Sequence, residues 1–163
     1  MNFQIHPLKA ADWDAVRAIY EQGIAGRNAT FETESPSWDQ WDAAHLPFAR
    51  LAARLGEEIL GWAALSPTSP RRCYSGVAEA TVYIAPAFQR RGLGRALLAA
   101  LIAESERNGI WTLQASVFPE NAGSLALLRG CGFREVGCRE RIAKLDGVWR
   151  DTILLERRSQ TTE

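Results

Sequence analysis

Ala78-Glu79-Ala80-Thr81-Val82-Tyr83-Ile84-Ala85-Pro86-Ala87-Phe88-Gln89-Arg90-Arg91-Gly92-Leu93-Gly94-Arg95-Ala96-Leu97-Leu98 reads as a strand, a proline-closed turn, a basic glycine loop and the start of an amphipathic helix. Gly92 and Gly94 let the backbone approach a ligand closely. The helix N-terminus behind them offers unpaired N–H donors and a partial positive charge. Arg90, Arg91 and Arg95 add full charges around the same point. A pyrophosphate suits that combination. The loop is not a Rossmann fingerprint, because Leu97 stands where the third glycine belongs, and no lysine follows as a nucleotide-triphosphate loop requires. On the strand, Glu79, Thr81 and Tyr83 share one face, and Ala80, Val82 and Ile84 the other.

Downstream, Thr112 to Phe118 alternates like a strand and stops at Pro119. Asn121 to Phe133 then has a helix start, an apolar helical face and a glycine exit at Gly132. Upstream, Asn2 to Pro7 is an expected first strand, and Trp13, Val16, Ile19 and Tyr20 fall at helical spacing. Gly23 to Pro36 is expected as a polar loop. Ser37-Trp-Asp-Gln40 has the form of a capping box and opens a short helix. Arg50 to Leu65 reads as a hairpin, and Val136 to Lys144 with Val148 to Leu155 as another, turning at Asp146-Gly147. The polar tail, Arg157 to Glu163, is expected to fray.

The chain of 163 residues fits one domain over 1–163, of mixed α/β class. Its formal net charge is zero, which gives no support to nucleic-acid or anionic-membrane binding. No apolar run reaches membrane-spanning length, and Met1 to Pro7 lacks the pattern of a secretory leader. Cys73, Cys131 and Cys138 are scattered, with no C-x-x-C pair, so reduced thiols in a cytoplasm are expected. With only His6 and His45, far apart, no histidine metal site is expected.

Gln89-Arg-Arg-Gly92-Leu-Gly94 resembles the Q/R-x-x-G-x-G/A loop of the GCN5-related N-acetyltransferases (GNAT). Asn121-x-x-Ser124…Gly132-Phe133 is similar to the segment that superfamily places under its cofactor. Three further segments resemble the phosphinothricin and methionine sulfoximine acetyltransferases: Ala78 to Ile84, Asn28-x-Thr30-Phe31-Glu32…Pro36, and Gly147-Val-Trp149-Arg-Asp151. Together they touch the start, middle and end of the chain. The resemblance implies an acyl-CoA N-acyltransferase fold: a mixed central sheet splayed at the cofactor site and flanked by about four helices. It implies acetyl-CoA as cofactor, held by Val82, Tyr83, Ile84, Gln89, Arg90, Arg91, Gly92, Leu93, Gly94, Arg95, Asn121 and Ser124. It also implies a homodimer and a small amine or amino-acid acceptor.

An amino acid arrives mostly as an ammonium ion, and a nearby carboxylate must take its proton. The resemblance assigns that role to Glu79, with Glu32 as a weaker alternative. A backbone N–H near Tyr83 or Ile84 would stabilise the oxyanion of the attacked carbonyl. Phe31, Glu32, Arg72, Cys73 and Tyr74 match regions lining the acceptor pocket, where Arg71 or Arg72 would hold a carboxylate or phosphinate. Trp149 is a further candidate wall. One position departs from the pattern: the family carries tyrosine or histidine as general acid where this chain has Leu128.

Acetylation of an amino acid or analogue is therefore the leading expectation. Another amine, such as a polyamine, an aminoglycoside or a protein N-terminus, is the alternative within enzymology. A non-catalytic acetyl-CoA sensor is encouraged only by Leu128, and Glu79 speaks against it.

Overall fold

The computed structural model describes residues 1–163. Its elements run β1 (Gln4–Pro7), α1 (Trp13–Ala25), α2 (Trp38–Ala44), β2 (Leu51–Leu55), β3 (Glu58–Pro67), β4 (Val77–Ile84), α3 (Leu93–Arg107), β5 (Thr112–Val117), α4 (Ala122–Gly130), β6 (Arg134–Leu145) and β7 (Val148–Arg158). Short 3-10 turns at Arg72–Tyr74 and Pro86–Phe88 flank β4.

Local chemistry explains most of these boundaries. Ser37 Oγ accepts from the Gln40 N–H at 3.2 Å while Gln40 Oε1 accepts from the Ser37 N–H at 3.0 Å, so both halves of the capping box form. Asp146 and Gly147 both adopt left-handed φ, 50° and 79°, as a tight hairpin turn requires. In α1, Trp13, Val16 and Ile19 bury one stripe. That helix runs on through Ile24, itself buried, into the stretch expected to be loop.

The strands form one sheet in the order β1-β2-β3-β4-β5-β7-β6. Every neighbouring pair is antiparallel except β4 and β5. Those two run parallel and pair only from Val77 to Glu79, against Thr112 to Gln114. Beyond Glu79 they part: β4 continues to Ile84 with β3 as its sole partner, and β5 continues along β7. The splayed mixed sheet implied by the family resemblance is the architecture found.

Helices cover both faces. Leu93, Leu97, Leu98 and Leu101 of α3, with Leu125 and Leu128 of α4, bury one face together with Leu113, Ala115 and Leu155. On the other face Trp13, Val16 and Ile19 of α1 and Trp41 of α2 pack over Trp62 and Ala64 of β3. Leucine-rich packing on one side and tryptophan-rich packing on the other give a two-sided core.

The tail corrects an expectation. β7 extends to Arg158, past the expected Leu155, because Thr112 and Leu113 of β5 pair with Arg158 and Arg157. Ser159 is buried; its N–H donates to the Trp111 carbonyl at 2.8 Å and its Oγ to Glu106 at 2.9 Å. Thr162 Oγ1 donates to the Glu106 carbonyl at 3.2 Å. Residues 158–162 are held, not frayed, because their polar groups satisfy the end of α3.

The base of the fork rests on Gly76. Its carbonyl accepts from the N–H groups of Trp111 and Thr112 at 2.8 and 3.1 Å, while the Trp111 ring lies where a side chain would sit, 2.0 Å from an ideal Cβ. Gly76→Ala is expected to displace that ring and destabilise the fold by about 1–3 kcal/mol through overpacking. Urea unfolding reads this as a lower midpoint at unchanged slope.

Candidate functional site

The parting of β4 from β5 opens a cleft of about 820 Å³. Val82 and Leu98 line it from β4 and α3, Ala115 and Val117 from β5, and Leu127 and Leu128 from α4. On the other side of the sheet it is lined by Tyr20, Trp41, His45, Trp62 and Tyr83. From Ala80 to Ile84 the β5-facing edge of β4 has no strand partner, so its main-chain groups on that side are available to a ligand.

At the end of β4, the basic loop is bent by two left-handed residues, Arg90 at φ 61° and Gly92 at φ 85°. Such a bend turns successive N–H groups toward one side and forms an anion-binding concavity. Gly92 is the N-cap of α3, and no side chain caps the helix. The first helical bond is donated by Ala96 to the Gly92 carbonyl, leaving the N–H groups of Leu93, Gly94 and Arg95 ahead of it. Arg90, Arg91 and Arg95 are exposed, and none is salt-bridged to a carboxylate. Gln89 folds back, Nε2 donating to the Ile84 carbonyl at 3.4 Å. Gly94 has a second purpose that spacing did not reveal: an ideal Cβ there would sit 3.2 Å from Leu127 Cδ2, so the glycine brings α3 close to α4.

Glu79 occupies the fork itself, opposite Ser66 of β3 and Gln114 of β5, and lines the cleft half-buried. Burial raises its pKa above the ordinary carboxylate value, and the positive charge of Arg139 opposes that rise in part. Tyr83 is pushed further up by burial, with smaller contributions from Tyr20, Glu32 and Glu79, so it stays protonated. His45 is held neutral: burial lowers its pKa, and Nδ1 lies 2.6 Å from the Trp41 carbonyl, which makes Nδ1 the donor.

The family's sequence profile, described as acetyltransferase (GNAT) family, matches residues 13–133. The chain belongs to that family. It is 36% identical over 162 residues to a phosphinothricin N-acetyltransferase of Alcaligenes faecalis, covering 94% of this chain and 81% of the relative. It is 26% identical to an L-methionine sulfoximine/L-methionine sulfone acetyltransferase of Pseudomonas aeruginosa, covering 96% and 94% of the two chains. A Salmonella typhimurium structure solved with its cofactor acetyl-CoA superposes with a TM-score of 0.89 at 25% identity, covering 96% of this chain and 93% of that one.

In this GNAT chain the loop preceding α2 forms a fixed wall of the cleft. Asn121, the N-cap of α4, accepts from the Ser124 N–H at 3.1 Å and donates through Nδ2 to the Asn28 carbonyl at 2.9 Å. Arg150 Nη1 donates to the Arg27 carbonyl at 3.2 Å, and Arg27 pairs with Asp146 at 3.0 Å. Phe31 packs edge-on against Phe118 with centroids 4.9 Å apart, and Arg150 lies over the Phe118 ring. Phe31, Glu32, Asn121 and Ser124 all line the cleft.

Three expected acceptor residues do not reach it. Arg72, Cys73 and Tyr74 form an exposed 3-10 turn outside the lining, where Arg71 stacks over Tyr74 with its guanidinium 5.6 Å from the ring centroid. The turn precedes the start of β4 and ends five residues short of Glu79 at the fork, which explains the displacement. Trp149 is no wall either; it is 51% exposed on the β6–β7 hairpin, beneath Lys144. Leu128 is buried in the lining, so α4 places neither hydroxyl nor imidazole at that position.

Spacing missed several lining residues. Trp62 stacks on Tyr83 at 5.0 Å because the two are cross-strand partners, and register is not legible in either strand alone. Ser116 and Thr152 also line the cleft, and Arg139 Nη2 donates to Ser116 Oγ at 2.6 Å. No signal in the sequence marked Arg139, which stands among several charged residues of an exposed strand.

Asn121 is expected to separate two functions by substitution. Asn121→Ala should lose about 0.5–2 kcal/mol of stability with the cap. Asn121→Asp should retain the cap yet lose the amide donor to Asn28. Hydrogen exchange at residues 27–31 should then rise in both variants, with global stability falling mainly in the first.

Proposed function

We propose that this acetyltransferase transfers the acetyl group of acetyl-CoA to the amino group of a small amino acid or analogue, of the phosphinothricin and methionine sulfone type. The observation that carries the reading is Glu79, a desolvated carboxylate at the one point where β4 and β5 part. The acceptor classes named for the Alcaligenes and Pseudomonas relatives support it.

The donor is acetyl-CoA, and the chain's residues fit it. The uncapped entrance of α3, the left-handed Arg90 and Gly92, and the unpaired Arg90, Arg91 and Arg95 suit its diphosphate. Leu93, Gly94 and Arg95 would supply main-chain N–H groups there, with Gln89 fixing the loop. The free edge at Val82, Tyr83 and Ile84 would pair with its pantetheine amides. Ser124 would line the arm on the α4 side, while Asn121 acts by positioning the loop. When bound, the cofactor supplies an activated acyl thioester.

The protein's part is to bring an unprotonated amine to that thioester in a water-poor cleft. Glu79 takes the ammonium proton as general base; its raised pKa brings its basicity nearer that of the amine it must deprotonate. Main-chain N–H groups at the open edge near Tyr83 or Ile84 receive the developing negative charge. Phe31 and Glu32 border the acceptor. Transfer is read as direct within a ternary complex, since no cysteine lines the cleft and Cys73 lies in an exposed turn outside it.

We read residues 1–163 as one catalytic unit, since a single sheet runs from β1 to β7. The exposed Ile142, Val148 and Trp149 of the β6–β7 hairpin support a homodimer. No helix is long and apolar enough to cross a membrane, and the three free thiols support a cytoplasmic setting.

Thiol release from acetyl-CoA, measured with a panel of amino acids, their analogues and other amines, tests the reading; turnover confined to amines without a carboxylate, or none, defeats it. Glu79→Gln is expected to lower kcat by about 10²-fold or more with acetyl-CoA affinity kept. In the parent, kcat/KM should rise with pH as Glu79 ionises. Its raised pKa places that acid limb above the range of an ordinary glutamate, and the limb should vanish in the variant. Gly92→Ala forces an L-residue into the left-handed region, a penalty of about 1–2 kcal/mol. The free loop of the variant should relax out of that conformation and have to re-adopt it on binding, so calorimetry should show acetyl-CoA bound roughly 5- to 30-fold more weakly.

A further inference from the structure

The second half of the sheet carries a cluster of hydrogen-bond donors that the reaction as described does not use. Arg139 of β6 lies opposite Thr152 of β7, and Ser116 of β5 lies opposite Leu154, two residues along the same strand face as Thr152. The Arg139 guanidinium reaches across β7 and donates to Ser116 Oγ at 2.6 Å. Arg139 forms no salt bridge with any carboxylate, unlike Arg134 and Arg150 on the same two strands.

Thr152 supplies the independent sign of a ligand. It lines the cleft, is only 4% exposed, and its Oγ1 is shut off from solvent with no hydrogen-bond partner. A buried hydroxyl left unpaired is unfavourable and calls for an explanation. Ser116 also lines the cleft; its oxygen already accepts from Arg139, so its own hydrogen is free to donate. Two hydroxyl donors and a guanidinium thus meet at one wall, with no carboxylate among them.

We propose that Arg139, Ser116 and Thr152 form the subsite that holds the α-carboxylate of the acceptor, and that Arg139 makes the enzyme selective for amino acids over amines lacking that group. The inference rests on the acceptor class proposed above and assigns its anionic group to residues on this wall. Glu79 pairs with Gln114, and Ser116 stands two residues further along β5 on the same strand face, its Cα about 7 Å from that of Gln114. The charge of Arg139 is felt at Glu79, which places the two groups in one electrostatic neighbourhood. An arginine with free N–H groups offers a carboxylate a planar fork that an alkylamine or a carboxamide does not match. The expected arginines, Arg71 and Arg72, have no comparable link to the lining.

The test compares L-methionine sulfone with its carboxamide in the whole enzyme. Wild type should favour the acid. Arg139→Met should lower kcat/KM for the acid by about 10- to 100-fold, mainly through KM, and leave the amide nearly unchanged. Arg139→Lys should recover part of the preference. Thr152→Val should weaken the acid about fivefold while holding or raising unfolding stability, because the unpaired hydroxyl is gone. Calorimetric titration of the CoA-loaded protein with N-acetyl-L-methionine sulfone and its carboxamide decides the matter without turnover. Acid-selective binding lost in Arg139→Met supports the subsite, even if no amine is acetylated and the proposed reaction fails. Equal binding of acid and amide by wild type, or an unchanged preference in Arg139→Met, overturns it.

Discussion

Three paired residues at the base of β4 and β5 determine what the rest of the molecule can do. Parallel strands satisfy their backbones only while they stay adjacent, and here adjacency ends at Glu79 and Gln114. Beyond that point the two halves of the sheet are independent, one continuing through β3 and the other through β7. Main-chain groups left along the open edge must then be met by water or by a ligand. The fork is held shut at its base by Gly76, whose carbonyl takes two N–H groups under the Trp111 ring. It is held open above by Leu98 of α3 and Leu128 of α4, buried side chains that also line the gap. A ligand-binding edge is therefore built from ordinary packing, without a strained strand.

The same geometry organises the charges. Arginines concentrate where α3 begins, and the helix entrance lacks the side-chain cap that would have neutralised it. Glu79, at the opposite end of the gap, is the cleft carboxylate whose ionisation is opposed by burial. A cationic loop and a reluctant carboxylate thus lie at the two ends of one gap, with ten residues, 80–89, between Glu79 and Arg90. His45, kept neutral by burial, adds no competing charge to the aromatic wall.

Local rules made much of this legible. The capping box at Ser37, the Asp146-Gly147 turn, the uncapped helix at Gly92 and the cap at Asn121 each depend on neighbours within four residues. Sequence spacing is sufficient for such features. What spacing could not supply was register and approach across the sheet. Trp62 meets Tyr83, and Arg139 meets Ser116, through pairings between segments remote in sequence. Gly94 looked like a residue cleared for phosphate, yet it also gives Leu127 room at the α3–α4 contact. Arg72 and Tyr74 were placed by resemblance in the acceptor pocket, whereas the 3-10 turn that carries them stops before the fork. The tail misled for a related reason: Ser159 and Thr162 look solvated until the carboxylate and carbonyl of Glu106 arrive from α3.

The wall formed by residues 27–36 bears on how selection is achieved. An enzyme that folds a mobile loop over its substrate selects partly through the energy of closure. Here the loop is tied to the rest of the fold by Asn121 to the Asn28 carbonyl, Arg150 to the Arg27 carbonyl, Arg27 to Asp146, and Ser35 to Glu21 at 2.6 Å. Phe31 against Phe118 adds an apolar contact to the same set. The surface so held offers aromatic faces on one side, unpaired donors on the other, and the half-buried carboxylate of Glu79 between them. A cleft of this kind rewards a ligand whose charges match those positions in a single extended pose, and it gives bulk alone little purchase.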